Sequence, residues 1–311
     1  MSEEPKHSPF LKDIWQKNTV AYFFMLPSLA MLIFFNAYPI FFSIGLGFTN
    51  LTLFNIRTGY QFIGFQNYQR LLSVYGPHIQ SVLYKTVLWT VTNVGLQVAV
   101  GLAFALLYNS KDLFGKKVQM AIVILPWAMP GFTSILIWQG MFQTGSGSIN
   151  QVLRMIGLPG PNWLNLEWPA FAAYNITNTW LAYPFMMTVI LGALQGIPPE
   201  LYEAATVDGA RSWHKLRHIT LPQISRPLLL ATLLTANTTF QNLNVPYLLN
   251  RGGPSTGAGG LNETVMVWGY TTILTGRFYG LASAFLGIVL IMVLVIGFFG
   301  LRVSRIAEEA S

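Results

Sequence analysis

Residues 197–227 read IPPELYEAATVDGARSWHKLRHITLPQISRP, and the fold turns on what this stretch can be. It is too polar to cross a bilayer and too regular for a slack linker. Pro198 and Pro199 open it, and Glu200 through Val207 has good helix formers. Gly209 permits a break. Trp213, Leu216 and Ile219 then recur at i, i+3 and i+6 on one face of a second short helix, which Leu221-Pro222 is expected to end. The spacing predicts a helix-turn-helix with Glu203 beside the small Ala204 and Ala205, followed by a basic second half. Small side chains let another protein's surface approach closely, and Glu203 offers that surface a salt bridge. An interfacial amphipathic helix anchored by Trp213 and the basic residues accounts for the same composition.

On either side of this stretch the chain is apolar. Of 311 residues, 53% are hydrophobic and 9% charged, against roughly a quarter charged in a soluble domain. The mean hydropathy is +0.48. A span needs about 20 mainly apolar residues to cross roughly 30 Å of hydrocarbon. Six runs qualify without an internal charge, at about 20–48, 86–108, 118–141, 169–195, 227–247 and 279–301. The expected fold class is therefore an all-α integral membrane protein with six transmembrane helices.

An even number of spans puts both termini on one side. Segments 1–17, 109–117, 196–226 and 302–311 hold 12 of the 18 Lys and Arg, and the longer opposite segments hold 6. By the positive-inside rule both termini are expected in the cytoplasm, with residues 1–17 a cytoplasmic segment and 18–311 the membrane domain. The first run is far longer than a signal-peptide core, so it is read as a retained span. The formal charge of +7 is then mostly topology, and these thinly spread basic residues do not make a nucleic-acid surface. Absence of Cys excludes disulfides, thiolate metal sites and Cys nucleophiles.

Prolines at 27, 39, 126, 130, 184 and 246 lie within the runs, and the pair Pro126 and Pro130 suggests a bend lining a path. The Gly-rich stretch 252–260 lacks the Lys-Ser/Thr ending of a nucleotide loop, so ATP is not expected to bind this chain. His214 and His218 stand at i, i+4 without an acidic third ligand, and no acid/base or metal cluster suggests a membrane enzyme. In the fifth run Thr235, Thr239 and Asn242 share a helix face, with Asn237, Gln241 and Asn244 beside it. Such groups either hydrogen-bond between helices or line a wet path.

Glu203-Ala204-Ala205, Asp208-Gly209-Ala210 and Ile219-Thr220-Leu221-Pro222 resemble the EAA loop of permease subunits of binding-protein-dependent ATP-binding-cassette importers, which have the type I permease fold. Leu216 stands where that pattern usually has Phe. AYFFMLPSLAMLIFFNAYPIFFSIGLGFTN at the first run, GFQNYQRLL at 64–72, NTWLAYPFMM at 178–187 and LLNRGGPST at 248–256 resemble the sugar branch, in particular the first permease subunit of maltose/trehalose systems in its compact six-span form. The resemblance implies half of a pore in a bacterial or archaeal cell membrane. The other implied parts are a second permease, two ATPase subunits holding ATP and Mg, and an extracytoplasmic sugar-binding protein.

In the ATPase cleft Glu203 would meet a basic group, Gly209 would form the turn, and Leu221-Pro222 would lead into the next span. Aligned with the maltose permease, the sugar-contacting positions fall on Gly131, Leu181, Ala182, Phe185, Thr235, Thr239 and Asn242; Trp180 and Gln241 are added as neighbours. Phe185 and Gly131 replace hydroxyl-bearing residues, which argues against an identical sugar pose. Gly252-Gly253-Pro254 and the segment to Gly280 would face the docked binding protein. Two other readings are a sodium-coupled carrier, which leaves the EAA match unexplained, and a permease for a non-sugar solute such as glycerol phosphate.

Overall fold

The structure, a computed structural model, describes residues 22–110, 113–254 and 260–309. The expected cytoplasmic segment 1–17 and part of the Gly-rich stretch lie outside these. The chain divides into two compact units, residues 1–69 with 277–287 and residues 70–276 with 288–311. Among the described residues the structure is helical, with one isolated antiparallel bridge between Thr49 and Phe62.

In the first unit, helix α1 (Tyr22–Leu46) passes through a π turn at Ile33–Ala37 and exposes its apolar side chains all round. The loop after it is tightly held. Buried Asn67 donates from Nδ2 to the carbonyls of Gly47 (2.9 Å) and Thr49 (2.8 Å), and Gly280 N–H donates to Leu51 O at 2.8 Å. A Cβ on Gly280 would lie 2.1 Å from Thr49 O, so only glycine admits this approach.

The second unit is built on helix α2 (Gly76–Asn109) and helix α3 (Glu167–Gln195). At 34 residues, α2 is about 51 Å long, enough to cross a bilayer with turns to spare. The two helices run parallel, since their contacts keep a near-constant offset: Lys85 with Glu167, Asn93 with Thr179, Gly101 with Met186. The buried face of α2 recurs every three or four residues through Val82, Thr86, Trp89, Asn93, Gln97, Gly101, Ala105 and Tyr108, while Val87 and Val91 are exposed. This helix turns its amides and Gly101 inward among apolar side chains and exposes valines outward, as expected where lipid is as apolar as any core and interhelical hydrogen bonds and close packing do the joining.

Parallel α2 and α3 require the intervening chain to return. It does so through α4 (Lys116–Ala128) and α5 (Gly131–Met141), which meet at 94°. The expected run 118–141 is thus two helices rather than one straight crossing. Pro130 explains the break: it lacks an N–H and pushes Met129 out of the helical region, to φ −82° and ψ 146°. Pro126 stays inside α4 and buried.

After α3 come α6 (Pro199–Val207), a short helix Ser212–Lys215, a π turn Leu216–Thr220 and α7 (Leu221–Phe240). Leu221-Pro222 was expected to end the second loop helix, and it does not. Thr220 is helical, and Leu221 N–H reaches back to Leu216 O in a π-type bond, so the chain runs from 212 to 240 without leaving helical geometry. Pro222 sits in the first turn of α7, where a missing N–H matters least. The run 227–247 also departs from one span. It stops at Phe240, and α8 (Asn244–Asn250) restarts the helix around Pro246, with Asn242 Oδ1 accepting Val245 N–H at 3.2 Å. The last helix, α9, spans Tyr279–Glu309. Three of these helices are long and apolar enough to cross a membrane alone, and five do if each of two bent pairs counts once. α7, expected as the fifth of six spans, falls outside that number because its polar residues dilute it.

Two positions have measurable consequences. A Cβ on Gly101 would lie 2.8–3.0 Å from Met186 and the Met187 backbone, so Gly101→Val is expected to lower stability by about 1–3 kcal/mol, read as a fall in the thermal midpoint in micelles. An unchanged midpoint would show that α2 and α3 do not pack closely there. Glu263, in the segment before α9, is 5% exposed and meets His78 Nε2 at 3.2 Å and Thr271 Oγ1 at 3.3 Å. Burial raises its pKa above 4.5, against the lowering pull of His78 and its hydrogen bonds. The folded state therefore binds this proton more tightly than the unfolded state, and stability falls as pH rises from the ordinary carboxylate range to the raised value. Thermal midpoints from about pH 4 to 7 are expected to show that slope reduced in Glu263→Gln; equal slopes in both proteins would refute it.

Candidate functional site

Three side-chain amides join α2, α3 and the break after α7. Val245 N–H donates to Asn242 Oδ1, Asn242 Nδ2 to Asn178 Oδ1 (3.1 Å), Asn178 Nδ2 to Asn93 Oδ1 (2.6 Å), and Asn93 Nδ2 to the carbonyl of Asn175 (3.1 Å). A backbone donor at one end and a backbone acceptor at the other leave one orientation for every amide between them. Nitrogen and oxygen are thereby assigned by the network. Asn93 Nδ2 also donates to Thr179 Oγ1 at 3.2 Å, and Thr92 Oγ1 to Asn175 Oδ1 at 3.2 Å.

Beside this chain lies a cavity of about 360 Å³, within the range of small-molecule sites, roughly 300–1,000 Å³. Leu181, Ala182 and Phe185 line it from α3, and Thr235 and Thr239 from α7, with Asn242 just beyond. These are six of the positions expected from sequence. Gln97, Trp127, Asn178, Leu234 and Thr238 complete the lining. No ionisable side chain is among them. Trp127 and Phe185 lie with ring centroids 6.4 Å apart.

Three expected residues do not line this cavity. Trp180 packs edge-on against Trp138 at 5.8 Å, because it sits about 200° around α3 from Asn178, whereas 178, 181, 182 and 185 share a face. Gln241 is exposed beyond the end of α7, donating to Asn237 Oδ1 at 2.7 Å. Gly131 begins α5, is exposed, and does not line the cavity.

The sequence reading missed Gln97, Trp127 and Asn178. A signal was present for the first: Thr86, Asn93 and Gln97 fall on one stripe of the charge-free run 86–108. Gln97 is 1% exposed, donates from Nε2 to Asn93 Oδ1, and has no partner for Oε1. Leaving such an acceptor unpaired costs about 1–3 kcal/mol.

At the far end of α3 the loop forms a helical hairpin. Gly209 has φ +76°, its N–H donates to Thr206 O, and Ala210 N–H donates to Ala205 O at 2.8 Å, which together make a Schellman turn closing α6. Glu203, Ala204, Asp208 and Gly209 are exposed, Ala205 and Leu216 half-buried. Tyr202 Oη meets Thr220 Oγ1 at 3.0 Å and Lys215 Nζ donates to Thr206 Oγ1 at 2.7 Å, binding the two arms. Tyr202, Ile219 and Leu221 pack against the buried cluster that includes Leu194 of α3 and Ile224 of α7, which seats the hairpin on those helices. Pro222 is exposed beside it. His214 and His218 stack at 5.7 Å, and no cluster of three potential metal ligands occurs among the described residues.

Apolar helices, an uncharged polar cavity between them and an exposed helical hairpin beyond α3 fit a membrane transport component. The chain belongs to the binding-protein-dependent transport system inner membrane component family, whose model matches residues 97–308. It is 37% identical over 294 residues to the galactooligosaccharides transport system permease protein GanP of Bacillus subtilis, covering 91% of this chain and 69% of that one. It is 33% identical to the maltodextrin transport system permease protein MdxF of the same organism, covering 93% and 68%. The trehalose/maltose transport system permease protein MalF of Thermococcus litoralis is 33% identical, with 80% and 81% covered. In fold it is similar to a chain of a bacterial alginate ABC transporter solved with an alginate pentasaccharide-bound periplasmic protein, with a TM-score of 0.78 at 23% identity over 96% of this chain and 98% of that one.

Replacing Asn93 by Leu leaves Asn178 Nδ2 and Gln97 Nε2 without partners. We expect Asn93→Leu to lose about 1–2 kcal/mol of stability in micelles, and Asn237→Leu, on the other face of α7, to lose little. Equal losses would show that the amide chain is not a joint.

Proposed function

We propose that this chain is one of two permease halves of an ATP-driven importer for neutral oligosaccharides of the maltodextrin, trehalose or galactooligosaccharide kind. The observation that carries the reading is the cavity lined by amides, hydroxyls and two aromatic rings with no ionisable group. Sugars offer many hydroxyls and a few apolar ring faces, which such a lining matches without strong charge. The names of the similar permeases support the same substrate class.

The chain holds no chemistry of its own in this reading. ATP and Mg bind the two ATPase subunits, an extracytoplasmic binding protein delivers the sugar, and a second permease closes the open side of the cavity, where Trp127, Leu234 and Thr238 are exposed. Both termini and the hairpin face the cytoplasm. Glu203, with Ala204 and Ala205 leaving room, docks in the ATPase cleft; Asp208 and Gly209 make the turn. Because the hairpin is packed on α3 and α7, movement of the ATPases is delivered to the two helices that carry Phe185 and Thr235.

The test is reconstitution with the partner subunits and binding protein in liposomes. Glu203→Lys is expected to abolish sugar-stimulated ATPase activity and uptake, at least 10-fold down, while the complex still assembles by size exclusion. Full uptake in that variant would remove Glu203 from coupling. A response to a peptide or ion and to no sugar would overturn the substrate class.

A further inference from the structure

We propose that Gln97 is a substrate-contacting residue, its Oε1 accepting a hydrogen bond from one hydroxyl of a neutral sugar ring that packs on Trp127 and Phe185. This rests on the sugar reading above and deepens it. Gln97 lines the cavity and is 1% exposed. Its amide cannot turn round to satisfy itself. Asn93 is oriented by donating to the Asn175 carbonyl, so its Oδ1 faces Gln97 and Asn178 and takes Nε2 of the first. Oε1 is left as a buried acceptor without a partner, on a side chain that lines the cavity. An acceptor that no protein group satisfies is open to a donor entering from the cavity once the side chain turns toward it, and a hydroxyl is the donor a sugar presents.

The aromatic pair supplies the other half of the recognition. Trp127 on α4 is held near Phe185 of α3, and α4 is tied to α3 by Tyr183 Oη donating to Val123 O at 2.7 Å. Ring faces accept the apolar face of a pyranose. Because every other lining group is also uncharged, a carboxylate or phosphate entering this cavity would be desolvated with no cation to meet it. The cavity therefore selects neutral sugars by what it lacks as well as by what it offers.

The experiment measures binding of radiolabelled maltose, trehalose and galactobiose to the permease–ATPase complex in nanodiscs, without the binding protein, so that the receptor does not set the preference. For the disaccharide that binds, each monodeoxy analogue and the analogue with its terminal CH₂OH oxidised to carboxylate are compared. One deoxy analogue and the carboxylate are expected to bind about 10-fold more weakly to the wild type. Gln97→Met should bind the parent as weakly as the wild type binds that deoxy analogue, and should no longer tell the two apart. Gln97→Glu, which as the neutral acid keeps both the donor and the acceptor, should retain the discrimination, which a purely structural role would not predict. Trp127→Ala should weaken parent and analogue alike. Undiminished discrimination in Gln97→Met, or equal binding of the carboxylate, would overturn the role of Gln97 and of charge exclusion with the sugar reading intact. Binding of the carboxylate but of no neutral disaccharide would instead overturn the sugar reading.

Discussion

The second unit depends on one constraint: a polar group inside an apolar bundle must find its partner inside the bundle. The run from Val245 N–H through Asn242, Asn178 and Asn93 to the Asn175 carbonyl meets it with every donor facing an acceptor. Each link is individually modest, about 0.6 kcal/mol on average between membrane helices. Together they specify register, because sliding α2 against α3 by one residue breaks every link that Asn93 makes to α3 at once. The close approach at Gly101 relies on the same register: only there does α2 present a residue without a side chain to Met186.

A bundle held by such a network has room for bends, and the bends shape the cavity. Pro130 turns α4 into α5 by 94°, just past Trp127, and the break after Phe240 carries Asn242 out of the helix while keeping it at the cavity. In both places the chain loses backbone hydrogen bonds, and in the second a side chain replaces them, Asn242 Oδ1 capping Val245 N–H. The hairpin beyond the end of α3 is built differently. It is closed by a left-handed glycine, clamped by hydroxyls and packed at the ends of α3 and α7.

Much of this was legible in the chain. The apolar runs at 86–108 and 169–195 are the cores of α2 and α3, and the stretch 197–227 is a helical hairpin turning at Gly209. Six of the expected path residues line one cavity, since a face of α3 and a face of α7 follow from helical spacing alone. Spacing failed where geometry changed: Gln241 lies past the last turn of α7, Gly131 past the bend at Pro130, and Leu221-Pro222 within a helix that a π turn lets continue. Trp180 was chosen for its chemistry and placed by its rotation around α3 against Trp138 instead.

The sequence alone determined that the chain is a membrane bundle with a polar hairpin, because hydropathy, charge distribution and helix capping act over a few neighbouring residues. Only the tertiary structure decided which polar groups are spent on one another and which remain open. Asn93, Asn178 and Gln97 are equally polar as letters. Two of them have their oxygens taken by other amides across the helix interface, and the third, whose side chain lines the cavity, keeps a buried oxygen unpaired. That distinction depends on which helix lies opposite, across contacts separated by 64 to 86 residues of chain, and no local pattern encodes it.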